Sequence, residues 1–100
     1  MKNIAIIGSG EHAKKIAFEI CKIRNYNLAG FIDEKIKIGS LIQKINNKKI
    51  KVIDNLKGLN KNKYKKMNFI IGIGSNYKRF KIVEEIKKLK LKLKLSKVIS

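Results

Sequence analysis

The chain has one cysteine, one histidine, no proline, two arginines and only seven acidic residues among its 100. Each shortage excludes something. Cys21, standing alone, cannot form an intrachain disulfide. One His, one Cys and scattered carboxylates give no metal-ligand cluster. No nucleophile, base and orienting group form a recognisable catalytic set. There is no proline-rich linker and no internal repeat to divide the chain. The longest uninterrupted apolar runs, Ile4–Ile7 and Phe69–Ile71, are far too short to cross a bilayer, which takes ~20 residues. The opening Met1-Lys2-Asn3, four apolar residues and then Gly8 lacks the pattern of a secretory signal. The expectation is a cytoplasmic protein forming a single domain over residues 1–100, without a membrane partner.

Basic residues are abundant. Lys and Arg total 25 against the seven acidic residues, for a net charge of +18. Apolar residues make up 44%, enough for one core, which excludes a disordered basic tail. The basic residues are 23 Lys to 2 Arg, beside 19 Ile and 10 Asn. These three common residues share A/T-rich codons, so most of the excess reads as nucleotide bias in the source genome. Specific readers of nucleic acid lean on Arg, whose planar fork matches guanine and phosphate. The aromatics do not interleave with the lysines as stacking platforms should. No specific nucleic-acid partner is expected, although the lysines create a field that favours anionic ligands.

Lys2–Ile7 reads as a strand buried on both faces, stopped by Gly8-Ser9-Gly10. A helix follows over Glu11–Arg24, with Ala13, Ile16, Ala17, Ile20, Cys21 and Ile23 on one face. Phe18 falls off that face, and Cys21 on it is expected to be inert. Leu28–Ile32 is a second strand, ended by Asp33-Glu34. Together these make a βαβ unit with parallel strands and a right-handed crossover. Ile36–Asn47 reads as a loop, with a turn at Gly39-Ser40 and a short apolar stretch. Lys49–Ile53 suits a short strand, and Leu56 and Leu59 anchor a short helix within Asp54–Lys66. Met67–Ile73 is another buried strand. Tyr77–Lys90 reads as a helix with Phe80, Ile82, Val83, Ile86 and Leu89 inward. Leu91–Leu95 alternates strictly, as an edge strand with outward lysines does. The predicted class is α/β: a Rossmann-like three-layer domain with a small, mostly parallel sheet.

In such a sheet ligands sit beyond the carboxyl ends of the strands. Three strand ends carry suitable residues. Gly8-Ser9-Gly10-Glu11-His12 is a phosphate-loop candidate: Gly8 permits the sharp turn, Gly10 allows close backbone approach, and free helix-start amides face an anion. The spacing Gly8-x-Gly10-x-x-Ala13 fits a dinucleotide fingerprint. A plain strand-to-helix turn would also use glycine. Asp33 can accept hydrogen bonds from ribose hydroxyls or serve as a solvated turn residue, and Glu34 beside it needs no special role. Gly74 and Asn76 form the third edge, where Ser75 or Asn76 can equally cap a helix. His12 lies in the first helical turn, inside the crevice. These residues support binding of a nucleotide-like anion and supply no catalytic machinery.

The segment Lys2-Asn3-Ile4-Ala5-Ile6-Ile7-Gly8-Ser9-Gly10-Glu11-His12-Ala13-Lys14 resembles the start of bacterial sugar acyltransferases. These include the sialic acid O-acetyltransferases and the UDP-4-amino-sugar N-acetyltransferases. The resemblance continues at Gly30-Phe31-Ile32-Asp33-Glu34, where the family has Gly-Phe-(apolar)-Asp-Asp. It returns at Ile71-Gly72-Ile73-Gly74-Ser75-Asn76, followed by Arg79, and Leu95–Ser100 looks like the family's exit from this domain. The resemblance implies a domain that binds a nucleotide-sugar acceptor of the UDP-amino-sugar type. Gly10, Glu11 and His12 would then line the site through the first loop, Asp33 and Glu34 would contact the uridine side, and Gly74 with Tyr77 would close the crevice, beside the candidates Gly8, Ser9 and Asn76 read from the strand ends themselves. The family's left-handed β-helix, which binds acetyl-CoA, carries the catalytic His and assembles the trimer, has no hexapeptide repeats in these residues. No cofactor is therefore expected in this domain, and no acyl transfer from it alone. Glu11 stands where the family usually has a small residue, so its carboxylate must turn away from a pyrophosphate. Two other readings stand beside this one: an NAD-type dinucleotide-binding module and a basic nucleic-acid-binding protein.

Overall fold

Ile4, Ala5, Ile6 and Ile7 are all buried, and that one fact organises the molecule. In a computed structural model that describes residues 1–96, they form most of β1 (Lys2–Ile7) at the middle of the sheet. Alternate side chains of a strand point to opposite faces. Ile4 and Ile6 join one apolar cluster with Ala13, Ala17 and Ile20 of α1 (Glu11–Ile20). Ala5 and Ile7 join a second, with Leu56, Leu59, Tyr64 and Ile86. A strand covered on both sides has no polar face, which is why its sequence does not alternate.

The remaining elements are β2 (Tyr26–Ile32), β3 (Leu41–Ile45), β4 (Lys48–Asp54), two 3-10 turns at Leu56–Asn60 and Asn62–Tyr64, β5 (Asn68–Ile71), α2 (Asn76–Lys88) and β6 (Lys94–Leu95). The six strands run in the order β3-β4-β2-β1-β5-β6. All neighbours are parallel except the β3–β4 hairpin. With α1 on one face and α2 and the 3-10 turns on the other, this is the expected three-layer Rossmann-like α/β fold. The chain winds from β1 toward β2 and β4, then returns to β5 on β1's other side. The switch point, where such folds open a crevice, lies between the ends of β1 and β5.

Several elements differ from the sequence reading. The first helix stops at Ile20 rather than Arg24. Its end tightens instead, with Lys22 N–H donating to Glu19 O and Ile23 N–H to Ile20 O, because the chain must turn in time for Tyr26 to pair beside Lys2. The stretch read as a loop contains β3, joined to β4 by Asn46-Asn47 at φ 48° and 68°. Two residues at positive φ make the mirror-image turn that matches strand twist, and Asn tolerates it. The expected helix after β4 is two 3-10 turns, and its anchors Leu56 and Leu59 are buried. Phe80 is not inward but 60% exposed, because it lies well round the helix from the inward Ile82, Ile86 and Leu89. β5 is shorter than Met67–Ile73, and of Leu91–Leu95 only Lys94–Leu95 pairs, at the sheet edge as expected. The part of the expected domain exit that falls on residues 97–100 lies outside the described residues.

Gly30 marks an irregularity in β2. The β1–β2 register steps over Ala29, with Ile4 opposite Leu28 and Ala5 opposite Gly30. A Cβ at Gly30 would stand 2.6 Å from the carbonyl oxygen of Lys51 on β4, so this bulge needs a residue without a side chain.

Candidate functional site

Gly8 ends β1 with φ +110°, a conformation that side chains rarely take. A Cβ there would also press on Ile73 at 3.0 Å and on the Gly72 carbonyl at 3.1 Å. The fold itself therefore demands glycine at this position. Gly8 N–H donates to Ile32 O at 2.7 Å, and Gly72 N–H donates to Ile7 O at 2.8 Å. These two bonds tie the ends of β2, β1 and β5 together at the mouth of the crevice.

Gly10 is different. It is the N-cap of α1, with an ordinary φ of −83° and no side chain capping the first turn. A Cβ added to it would meet nothing within 4 Å. The start of α1 thus has no side-chain cap, and its first-turn amides carry the positive end of the helix dipole.

The crevice residues meet in two pairs. Ser9, which is buried, donates its hydroxyl to Asp33 Oδ2 across the ends of β1 and β2. Asp33 Oδ1 accepts from Lys35 N–H at 2.8 Å and Ile36 N–H at 2.9 Å. Partial burial alone would raise the Asp33 pKa, but the bonds from Ser9, Ile36 and Lys35 and the Lys35 charge outweigh it and hold the carboxyl below its usual value. Asp33 is therefore an ionised acceptor in a fixed orientation. On the other side, the exposed His12 ring stands 3.5 Å from where a Cβ on Gly74 would be, which brings the start of α1 close to the loop after β5.

Other expected site residues have partners of their own. Glu34 Oε2 accepts from Leu56 N–H at 2.7 Å, closing the first 3-10 turn. Glu11 is highly exposed and pairs with Lys14 at 3.5 Å. It borders an open hollow of about 450 Å³ on the outer side of α1, with Phe18 and Gln43. Ser75 caps α2, accepting from Lys78 N–H at 3.3 Å. Asn76 begins that helix, and Tyr77 is 68% exposed, with the Lys81 ammonium 5.5 Å from its ring centre. A second open hollow, about 570 Å³, lies among Ile38, Lys51, Lys63, Tyr64 and Met67, away from the crevice.

Sequence reasoning missed one polar cluster. Asp54 ends β4 as Asp33 ends β2, yet it is buried. It accepts from Tyr64 O–H at 2.7 Å, Lys61 Nζ at 3.1 Å and Asn55 N–H at 2.9 Å. Burial raises its pKa, and these bonds more than reverse that, for a net lowering. Burial and the adjacent carboxylate push the Tyr64 phenol well up. The signal was there in Asp54-Asn55 following a strand, but Tyr64, ten residues on, gave none. The Cys21 thiol is half-buried; burial raises its pKa, only partly offset by Lys48, so it is a poor nucleophile.

Among the described residues no group of His, Cys, Asp or Glu side chains is placed to hold a metal ion, and no helix is long and apolar enough to cross a membrane. The strand order with its switch point, the glycine turn and the strand-end carboxylate define a domain of the Rossmann-like α/β class. Residues 3–86 match the model of the PglD N-terminal domain, and the chain belongs to that family. This bears out the family resemblance read from the three motifs. Among solved structures, the chain is similar to the acetyltransferase domain of PglB from Neisseria gonorrhoeae FA1090, determined in complex with acetyl coenzyme A. The TM-score is 0.55 at 22% identity, over 88% of this chain and 40% of that one. That likeness shows the fold, and the chain spans well under half the length of that protein. No curated protein matches the chain.

Proposed function

We infer that this domain binds a nucleotide-sugar, of the UDP-amino-sugar type, as the acceptor-binding N-terminal domain of a sugar acetyltransferase. The observation that carries the reading is Gly10. Backbone strain requires glycine at position 8 but not at position 10, where the dihedrals are ordinary and the space is open. A glycine the fold does not need, at the uncapped start of a helix in the crevice, suits a loop that brings its amides against a diphosphate. Asp33, ionised and held by Ser9, would accept from ribose or uracil donors, and His12 with Gly74 would form the opposite wall. Pairing with Lys14 would draw the exposed Glu11 carboxylate away from a bound anion.

Acyl transfer would come from outside these residues. The acetyl coenzyme A bound by the similar PglB structure, and the family's trimer, belong to this chain only as expectations for a longer protein. Calorimetric titration with a panel of UDP-sugars tests the reading, with micromolar to millimolar binding expected. Silence across that panel, with binding of NAD instead, would overturn it.

A further inference from the structure

Arg79 is one of two arginines in a chain with 23 lysines. Arg and Lys are not interchangeable, because the guanidinium is a planar fork of five donors and the ammonium a point charge. Both arginines are exposed, and Arg24 lies in the turn after α1. Arg79, by contrast, donates from Nη2 to the carbonyl of Ile73 at 3.2 Å. It lies one turn into α2, with its own N–H on Ser75 O at 2.9 Å. Its side chain folds back toward the helix start, as helical side chains lean. That places Nη2 at the carbonyl just before Gly74, in the loop after β5, where a Cβ on Gly74 would stand 3.5 Å from the His12 ring. The ion pairs among the described residues, Lys14–Glu11, Lys22–Glu19 and Lys61–Asp54, do not involve it. One nitrogen is anchored to backbone at the crevice rim, and the others meet no carboxylate there.

We propose that Arg79 is a ligand-binding residue of this crevice. Fixed through one nitrogen to the Ile73 carbonyl, its guanidinium presents its other N–H groups to the phosphate of the bound nucleotide. The assignment rests on the nucleotide-sugar reading above and adds the side chain that grips the anion, opposite the α1 amides. The anchor matters because a fork already held in place loses less freedom on binding.

The test titrates UDP and uridine against the full chain, its Arg79→Lys variant and its Arg79→Gln variant. NMR chemical-shift changes read even millimolar binding. UDP affinity is expected to fall about tenfold in Arg79→Lys and further in Arg79→Gln. Uridine affinity should stay unchanged in both. The salt dependence of UDP binding should also flatten in Arg79→Gln, which a merely structural arginine would not produce. Equal UDP binding by the wild-type chain and Arg79→Lys would overturn the assignment alone. So would equal losses for UDP and uridine, which would mark Arg79 as only a loop tether. No UDP binding by the wild-type chain would overturn the nucleotide reading itself.

Discussion

Replacing Gly10 with aspartate should make the protein more stable and less able to bind. The backbone at Gly10 already has N-cap geometry, φ −83° and ψ −165°, and a new Cβ has free space. An aspartate carboxylate there can accept from the amide of His12 or Ala13, which no side chain caps now. Capping by Asp rather than Gly is worth a few tenths of a kcal/mol, and a charge at the dipole's positive end adds about 0.3–1 kcal/mol. The sum, about 0.5–1.5 kcal/mol, raises the melting temperature of a domain this size by roughly 2–12 °C. The same carboxylate occupies the amides proposed to hold the diphosphate and sets a negative charge against it. Loss of even two charge-assisted hydrogen bonds, about 1.5–3 kcal/mol each, weakens UDP binding by more than about 100-fold. Gly10→Ala is the control: alanine caps poorly, so it should lower stability slightly. Thermal denaturation by circular dichroism and calorimetric titration with UDP give the two readouts. If Gly10→Asp melts lower than wild type while Gly10→Ala does not, the capping argument is wrong. If Gly10→Asp binds UDP as the wild type does, the ligand does not sit on this turn.

Other substitutions probe the scaffold. Lys90 sits at φ 56° just past α2, where Leu91 N–H donates to Ile86 O and Lys90 N–H to Lys87 O. This helix-ending motif prefers glycine, so Lys90→Gly should stabilise by about 0.5–1 kcal/mol in urea denaturation. Tyr64→Phe removes one hydrogen bond to the buried Asp54 carboxylate and should cost about 1.5–3 kcal/mol. The Tyr64 pKa is raised on folding, so its contribution is full below its unfolded value of 10.0 and is lost as pH rises beyond that. Tyr64→Phe should therefore blunt the alkaline fall in stability. Asp33 and Asp54 are both held below their unfolded value of 3.8. Their contribution is full above that pH and lost as pH falls through the lower folded values. Ser9→Ala should make the acid loss shallower, seen as a smaller fall in melting temperature between neutral and strongly acidic buffer.

The central strands were legible because their burial is complete. A run such as Ile4–Ile7 has few other ways to satisfy four adjacent apolar side chains. The inward face of α1 was legible for the same reason, since Ala13, Ala17 and Ile20 repeat at helical spacing and all are buried. β3 was not. Leu41 is 53% exposed and only Ile45 of that strand is fully buried, so its pattern barely differs from that of a loop. What makes it a strand is the backbone of β4 and the Asn46-Asn47 turn, and pairing leaves little trace in composition. Phe80 misled for the opposite reason: an aromatic near an inward stripe reads as core, yet here it faces solvent. At the crevice, the glycine positions and Asp33 were legible as types and spacings. The Ser9–Asp33 bond and the capping of a 3-10 turn by Glu34 were not, because each joins residues more than 20 positions apart.

The two aspartates sharpen the case for the crevice. Asp33 and Asp54 occupy like positions beside the ends of adjacent parallel strands, and Asp33 N–H donates to Asp54 O at 3.1 Å. Each accepts three hydrogen bonds from the protein. Each has its pKa held down by those bonds despite partial or full burial. They differ in what surrounds them. Asp54 is 3% exposed, with Tyr64 laid over it and Gly58 so close that a Cβ would collide with its carboxylate. Asp33 is left half-open, and an ionised carboxylate has about four lone-pair sites, so it keeps acceptor capacity toward solvent. A purely structural role for Asp33 would be served by sealing it as Asp54 is sealed. The fold instead spends Ser9 and two loop amides on aiming Asp33 while leaving it accessible. A carboxylate fixed in direction and open on one side is what a hydrogen-bonded ligand requires. Measured binding should therefore depend on Ser9 even though Ser9 is itself buried, and Ser9→Ala should weaken UDP binding about three- to tenfold while the domain stays folded. Unchanged binding in Ser9→Ala would mean that Asp33, like Asp54, serves only the scaffold.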